Sequence, residues 1–320
     1  MIELWGGHEA TVNRVGDRVF DQTKKSGHED RLTDLAAFAD LGIRALRYPV
    51  LWERVSPQRP DEQDFAWSDE RLAEIQRLAM RPIVGLLHHG SGPLYTDLLD
   101  DGFARGLAAP ARATAGRDDY VTHRAATAER YPWVDEWTPV NEPLTTARFS
   151  GLYGLWYPHR RDEAACWLAL LNQIDAIRLS MQEIRRVNPR ARLIQTEDLG
   201  FCHASLPLAP QARFENDRRW LTWDLLFGRV VPGHRLWQRL SRFGLSARLQ
   251  AIADDPCPPD VIGVNYYLSS ERFVDHRVEL YPAMACAADG EEKFINIEAV
   301  RILRAGLLGL ENLLTQAWQR

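Results

Sequence analysis

Trp137-Thr138-Pro139-Val140-Asn141-Glu142-Pro143 sets one carboxylic acid at the point where a β-strand runs out. The run from Val134 to Val140 is short, apolar and aromatic, which suits a buried strand. Pro143 has no N–H to give a sheet ladder, so the strand stops there. A carboxyl group leaving a buried strand end is partly stripped of water, which favours its neutral form and moves its pKa towards the range of a general acid. Glu142 is therefore the candidate proton donor. The alternative, an ion pair with a nearby arginine, is the commoner outcome for a strand-end glutamate judged by spacing alone. Asn141 beside it offers an amide donor and an acceptor to a substrate hydroxyl.

The same arrangement recurs outward from this point in both directions. Upstream, the apolar run Ile83–Leu87 delivers His88 and His89, Ile43–Tyr48 carries Arg47, and Ile2–Trp5 gives way to Gly6-Gly7-His8-Glu9, where His8 and Glu9 can turn into a cavity. Between these strands, Leu32, Leu35, Ala36 and Ala39 repeat with the helical period up to Gly42. A second helix starts at Ser68-Asp69-Glu70 and buries Leu72, Ile75 and Ala79. Downstream, the aromatic stretch 144–159 reads as a loop walling a cleft, and a long helix over 163–187 is stopped by Asn188-Pro189. A strand over 191–196 then ends in Glu197-Asp198, which either line a cleft or pair with Arg192 or Arg213. A helix over 214–226 precedes a sixth strand, 260–267, that carries Asn265 and Tyr267. Residues 101–133, interrupted by Pro110 and Gly116, read as a local insertion.

Strands alternating with helices, with polar residues collected past the strand C-termini, define an α/β fold: a TIM (β/α)8-type barrel with its site on that face. The pattern yields about six β/α units in one incomplete barrel domain over residues 1–320. A last helix, with Leu307, Leu310, Leu314 and Trp318 on one face, would lead into a seventh strand. An arc of six strands leaves two open sheet edges, so the expectation is a truncated barrel with a covalent or non-covalent C-terminal partner completing it.

Thr138-Pro-Val-Asn-Glu-Pro143 resembles the Thr-Phe-Asn-Glu-Pro signature of family 1 glycoside hydrolases. Arg47-Tyr-Pro-Val-Leu-Trp-Glu-Arg-Val, His88-His-Gly-Ser-Gly-Pro93 and Val261-Ile-Gly-Val-Asn-Tyr-Tyr267 resemble further motifs of that family, in the same order. The resemblance implies a retaining β-glycosidase in which Glu142 is the acid/base and Arg47 lies beneath the catalytic carboxylates. It implies further that His88 or His89 binds a sugar hydroxyl, that Glu9 occupies a sugar-binding position, and that Tyr267, with Asn265 close by, would bond the nucleophile. For Arg47 the alternative is a helix C-cap, and for Glu9 a loop salt bridge. The family's nucleophile strand has no counterpart among these 320 residues; spare acids exist in Glu9, Glu197 and Glu298. The chain is also similar to glycosidase-like modules joined to dTDP-4-dehydrorhamnose-reductase-type domains in longer bacterial proteins. A second reading follows, a catalytically impaired carbohydrate-binding or regulatory module of a larger sugar-nucleotide enzyme.

Composition narrows the partners. A net charge of −5 without a basic block argues against nucleic acid and anionic membranes, and favours a neutral ligand such as a small carbohydrate or glycoside. The N-terminus lacks a basic and an apolar signal region, and no segment has the length of a membrane span, so the expected location is cytoplasmic. The four scattered cysteines are expected to be reduced packing residues. The histidine pair lacks a third ligand at metal spacing, so neither a metal nor another cofactor is expected. Eleven tryptophans and nine tyrosines would suit sugar rings, although most large aromatics are core.

Overall fold

The computed structural model describes residues 2–108, 123–282, 286–289, 292–303 and 308–320. Six strands, β1 (Trp5–Gly7), β2 (Ala45–Pro49), β3 (Arg81–Leu87), β4 (Glu136–Val140), β5 (Arg192–Asp198) and β6 (Val261–Asn265), form one sheet in chain order. Every neighbouring pair is parallel, from Trp5 opposite Ala45 to Asp198 opposite Asn265. One or more helices follow each strand, so the sheet is the curled arc of a (β/α)8-type barrel.

Position in the arc decides burial. All five residues of central β4 are buried, whereas β6, at one edge, is mostly half-exposed, with Ile262 36% accessible. The helix Glu163–Val187 covers β4. Asp162 caps it by accepting from the Ala165 N–H at 2.8 Å, and Cys166, Leu170, Ile174, Ile177, Met181 and Ile184 are all buried in the main core. Each such aliphatic side chain contributes about 1.5–3 kcal/mol of burial free energy. At the far end Asn188 stops the helix and donates to the Val134 carbonyl at 3.1 Å, which ties it to the chain entering β4.

Several expectations need correction. The first strand lies at Trp5–Gly7, not Ile2–Trp5, because only that register pairs with Ala45–Arg47; Ile2 is fully exposed. The second helix starts at Ala66, two residues early, because the Asp64 carboxylate accepts from the Ala66 N–H at 2.8 Å. The aromatic loop after Glu142 opens as a helix, Pro143–Ala147, and a π-turn, Arg148–Leu152. The helix expected over 214–226 is two, Ala209–Arg218 and Leu221–Leu226. In the final helix, Leu308–Gln319, Leu313 is the buried residue, against Leu199, Trp220 and Trp223, while Leu314 and Trp318 face outward. Leu307 lies outside the described residues, as does 109–122, the centre of the stretch read as an insertion.

Besides short helices such as Trp52–Val55 and Ser246–Asp254, a hairpin and a second sheet went unread in the sequence. A hairpin, Val12–Val15 with Arg18–Asp21, turns at Gly16-Asp17, where Gly16 takes φ +56°. A separate four-stranded sheet joins Cys202–Ala204, Arg272–Asp275, Cys286–Asp289 and Glu292–Glu298. Among the described residues no helix is long and apolar enough to cross a membrane.

Candidate active site

The C-terminal ends of the strands open into a cavity of about 490 Å³. Its walls include Glu9 past β1, Arg47 on β2, His88 and His89 past β3, Asn141 and Glu142 past β4, and Tyr267 past β6. Asn265, at the end of β6, joins the group through its hydrogen bonds. Seven of the eight residues singled out from the sequence thus border one cavity and the eighth touches two of them.

Glu142 is 5% exposed and has a left-handed backbone, φ 45° and ψ 60°, at the start of the helix Pro143–Ala147. The turn aims its carboxyl group across the strand end. Asn265 Nδ2 donates to Glu142 Oε1 at 2.5 Å, and His89 Nε2 lies 3.5 Å from Oε2. Burial, followed by the charge of Glu197, raises the Glu142 pKa from the ordinary 4.5 to about 7. No arginine hydrogen-bonds to Glu142 among the described residues, so the ion-pair alternative does not describe it.

The guanidinium of Arg47 goes to the neighbouring side chain instead. Arg47 Nη1 donates to Asn141 Oδ1 at 2.6 Å and to Thr196 Oγ1 at 3.2 Å, while Thr196 Oγ1 itself donates to Asn141 Oδ1 at 2.7 Å. Arg47 is therefore a brace beneath the site, not a helix cap. With its oxygen taken, Asn141 must present Nδ2 to His89 Nε2, 3.2 Å away. That makes Nε2 an acceptor, so Nδ1 carries the proton and donates to Thr146 Oγ1 at 2.9 Å. Burial, reinforced by the charge of His88, lowers the His89 pKa to about 3, so the ring is neutral. A neutral acceptor beside Oε2 suits a protonated Glu142.

His88 is buried and lowered in pKa by that burial, and its Nε2 lies 3.4 Å from Glu9 Oε1. The same Glu9 oxygen accepts from the Thr11 N–H at 3.1 Å and from the Thr11 hydroxyl at 2.5 Å. Burial opposes ionisation of Glu9, yet the hydrogen bond from His88 and its neighbours hold the carboxyl well below the usual range. His8 takes no part in the wall: its ring lies 4.3 Å from that of His28, Nε2 is 3.2 Å from Thr23 Oγ1, and burial lowers its pKa to about 4. Tyr267 is 56% exposed, and burial, followed by the charges of Glu142 and Glu9, raises its pKa.

The residues missed from the sequence are Thr11, Asn13, Val15, Phe20 and Gln22, brought to the cavity by the hairpin. The signal was there in Gly16-Asp17 between β-prone residues. Phe149 and Trp156, from the stretch read as a cleft wall, do line the cavity.

A second cavity of about 400 Å³ adjoins the first and shares Glu142, Thr145, Phe149 and Tyr267 with it. Asp198 lines this lobe, accepts from Ser270 Oγ at 2.6 Å and lies 3.5 Å from Arg148 Nη2. Glu197 reaches neither cavity wall. It is wholly buried and accepts from the N–H groups of Leu144 (2.9 Å), Thr145 (3.4 Å) and Asp198 (3.2 Å) and from the hydroxyls of Thr145 (3.2 Å) and Thr222 (2.7 Å). Neither acid pairs with Arg192, which is 3.3 Å from Glu136, or with Arg213. No group of three or more His, Cys, Asp or Glu among the described residues could hold a metal ion.

No protein-family model matches the chain. It is 25% identical over 246 residues to a 6-phospho-beta-glucosidase from Dickeya chrysanthemi, an alignment covering 74% of this chain and 50% of that protein. Among solved structures it is similar to a beta-glucosidase from Thermotoga maritima in complex with deoxynojirimycin: TM-score 0.66, 17% identity, 86% of this chain and 66% of that one. A family 1 β-glucosidase of the same organism in complex with isofagomine lactam gives a TM-score of 0.64 at 17% identity, over 79% of this chain and 56% of that one. The AHE enzyme from Alicyclobacillus herbarius gives 0.62 at 18% identity, over 84% and 58%. The fold is thus that of a family 1 glycoside hydrolase-like barrel over six strands, and the chain spans about half the length of the curated relative it matches.

Proposed function

We propose that the cavity binds a β-glycoside and that Glu142 acts on it as the acid/base of a glycoside hydrolase-type site. The observation that carries this reading is a buried carboxyl group, raised to about pH 7, facing a cavity of about 490 Å³. A group that keeps its proton near neutrality can hand it to a leaving oxygen, and a hydrogen bond from Asn265 to its other oxygen steadies the anion left behind. Names of the similar proteins extend the substrate class to β-glucosides and their 6-phosphates. His88, His89, Asn141, Glu9, Tyr267 and Arg47 are assigned to substrate binding or to bracing it, with no metal or cofactor required.

A retaining reaction also needs a nucleophilic carboxylate about 5 Å from the acid. The spare acids are already engaged: Glu9 by His88 and Thr11, Glu197 by five donors, Glu298 by Arg272 and Arg301, and so is Asp198, by Ser270 and Arg148. That engagement favours a second reading, a carbohydrate-binding module with impaired chemistry. A location in the cytoplasm and a C-terminal partner completing the barrel belong to this proposal as well.

The test is an assay of the purified chain with nitrophenyl β-glucoside and its 6-phosphate, beside calorimetric titration with isofagomine lactam. The expected result is measurable binding with hydrolysis barely above background, and binding weakened by Glu142→Gln. Robust turnover lost on that substitution would assign the nucleophile to one of the engaged acids. Absence of binding to every glycoside and mimic would overturn both readings.

A further inference from the structure

Around the second lobe lie buried guanidinium groups with unfilled donors that the acid/base reading leaves unused. Arg148 on the π-turn, Arg218 at the end of its helix and the adjacent Arg219 are 9%, 2% and 4% exposed. Two carboxylates contact or border them. Asp198 lies 3.5 Å from Arg148 Nη2, and Glu215 accepts from Arg218. Among the described residues Arg219 hydrogen-bonds to no carboxylate, and Asp198 and Glu215 act on its charge only from a distance. The Nε–H groups of all three arginines lack an acceptor among the described residues. Arg219 has one bond, from Nη1 to the Ser270 carbonyl at 2.8 Å, and Arg148 has one further contact, to Thr145 Oγ1 at 3.3 Å. A buried N–H without a partner costs about 1–3 kcal/mol, and more when charged. Burial, followed by the charge of Arg148, pushes the Arg219 pKa down, so the two guanidiniums act on each other electrostatically.

Arg148 and Arg219 both line the lobe, whereas Arg272, also on its wall, is committed to Asn296 and Glu298. An oxyanion entering the lobe would supply acceptors and charge together, and a guanidinium matches phosphate or carboxylate oxygens in pairs. The lobe meets the first cavity at Glu142 and Tyr267, so one ligand seated at Glu142 reaches both.

We propose that the second lobe is an oxyanion subsite in which Arg148 and Arg219 hold a phosphate or carboxylate substituent of the glycoside. The proposal rests on the glycoside reading above for the rest of its ligand. Isothermal titration of the full chain at pH 7 and low ionic strength would compare glucose 6-phosphate with glucose, 4-carboxyphenyl β-glucoside with phenyl β-glucoside, and inorganic phosphate with chloride. The phosphorylated sugar and the carboxylated aglycone distinguish the two sources of the anion. At least one charged ligand should bind tenfold or more tightly than its neutral counterpart. Arg148→Gln should abolish that preference, and Arg148→Lys, which keeps the charge but not the paired donors, should restore part of it. Circular dichroism of each variant separates lost binding from lost fold. In the unmodified chain, phosphate should raise the melting temperature above that in chloride of equal ionic strength. Equal binding of charged and neutral ligands, or a preference that survives Arg148→Gln in a folded protein, would overturn the subsite. Phosphate binding that depends on Arg148, with no added affinity from any sugar, would support the subsite and remove the glycoside reading instead.

Discussion

The ends of β4 and β5 carry the same chemical group in opposite circumstances. Glu142 and Glu197 are both buried carboxyls at strand C-termini, and burial raises the pKa of each. Glu197 accepts from five donors and holds the start of the helix Pro143–Ala147 against β5. Glu142 has one strong donor, Asn265, and faces open volume. Burial and a raised pKa therefore do not distinguish a chemical group from a structural one. What differs is how much of its hydrogen-bonding capacity the protein has already filled.

The comparison breaks first, and most visibly, at Glu197. Glu197→Ala should strand buried amides and hydroxyls and cost about 3–5 kcal/mol, read by urea denaturation. A loss under about 1 kcal/mol would mean that the five bonds do little and that the two acids are alike.

Glu142→Gln should do the reverse above neutrality. The folded pKa of about 7 exceeds the unfolded 4.5, so the folded chain keeps a proton that the unfolded chain releases, and stability falls as pH rises between those values. Removing the ionisable group removes that penalty. The variant should gain up to about 3 kcal/mol on the unmodified chain at pH 8, with the gain vanishing towards pH 4. An equal difference at both pH values would mean that Glu142 is not the proton holder.

The smallest expected effect sharpens the contrast. Asn265 donates to the ionised form of Glu142 and so holds its pKa down. Asn265→Ala should raise that pKa by about half a unit to one unit, read from the pH dependence of its carboxyl ¹³C shift. A fall would mean that the amide presents its oxygen to Glu142.

Much of this geometry is legible in the sequence, for a physical reason. Most of the barrel strands contain a short apolar run with a glycine, proline or polar cluster at its end, and in a parallel sheet the ends gather on one side whatever the details between them. Glu9, Arg47, His88, His89, Asn141 and Glu142 line one cavity, as that logic expects. The fate of Glu197 does not follow from it, because nothing local to Glu197-Asp198 reveals the Thr222 hydroxyl, 25 residues on, that donates to it. The last helix failed similarly. Its apolar residues wrap most of the way round, and the buried side was chosen by Leu199, Trp220 and Trp223, far away in sequence. The arginines of the second lobe were invisible too, since Arg148 and Arg219 reach one lobe only through the tertiary fold.

The backbone of Glu142 carries a consequence for directed evolution. A left-handed φ of 45° immediately before a proline is a conformation that glycine, and to a lesser degree asparagine, adopts with less strain than glutamate. Glycine at this position would relieve about 1 kcal/mol of backbone strain and at the same time eliminate a buried acid. A laboratory selection for heat resistance alone would therefore drive position 142 towards glycine, yielding hardier molecules that still fold round an intact pocket. Any such library needs a screen for glycoside binding alongside the thermal one, because under the proposal above the two selections pull in opposite directions at this residue.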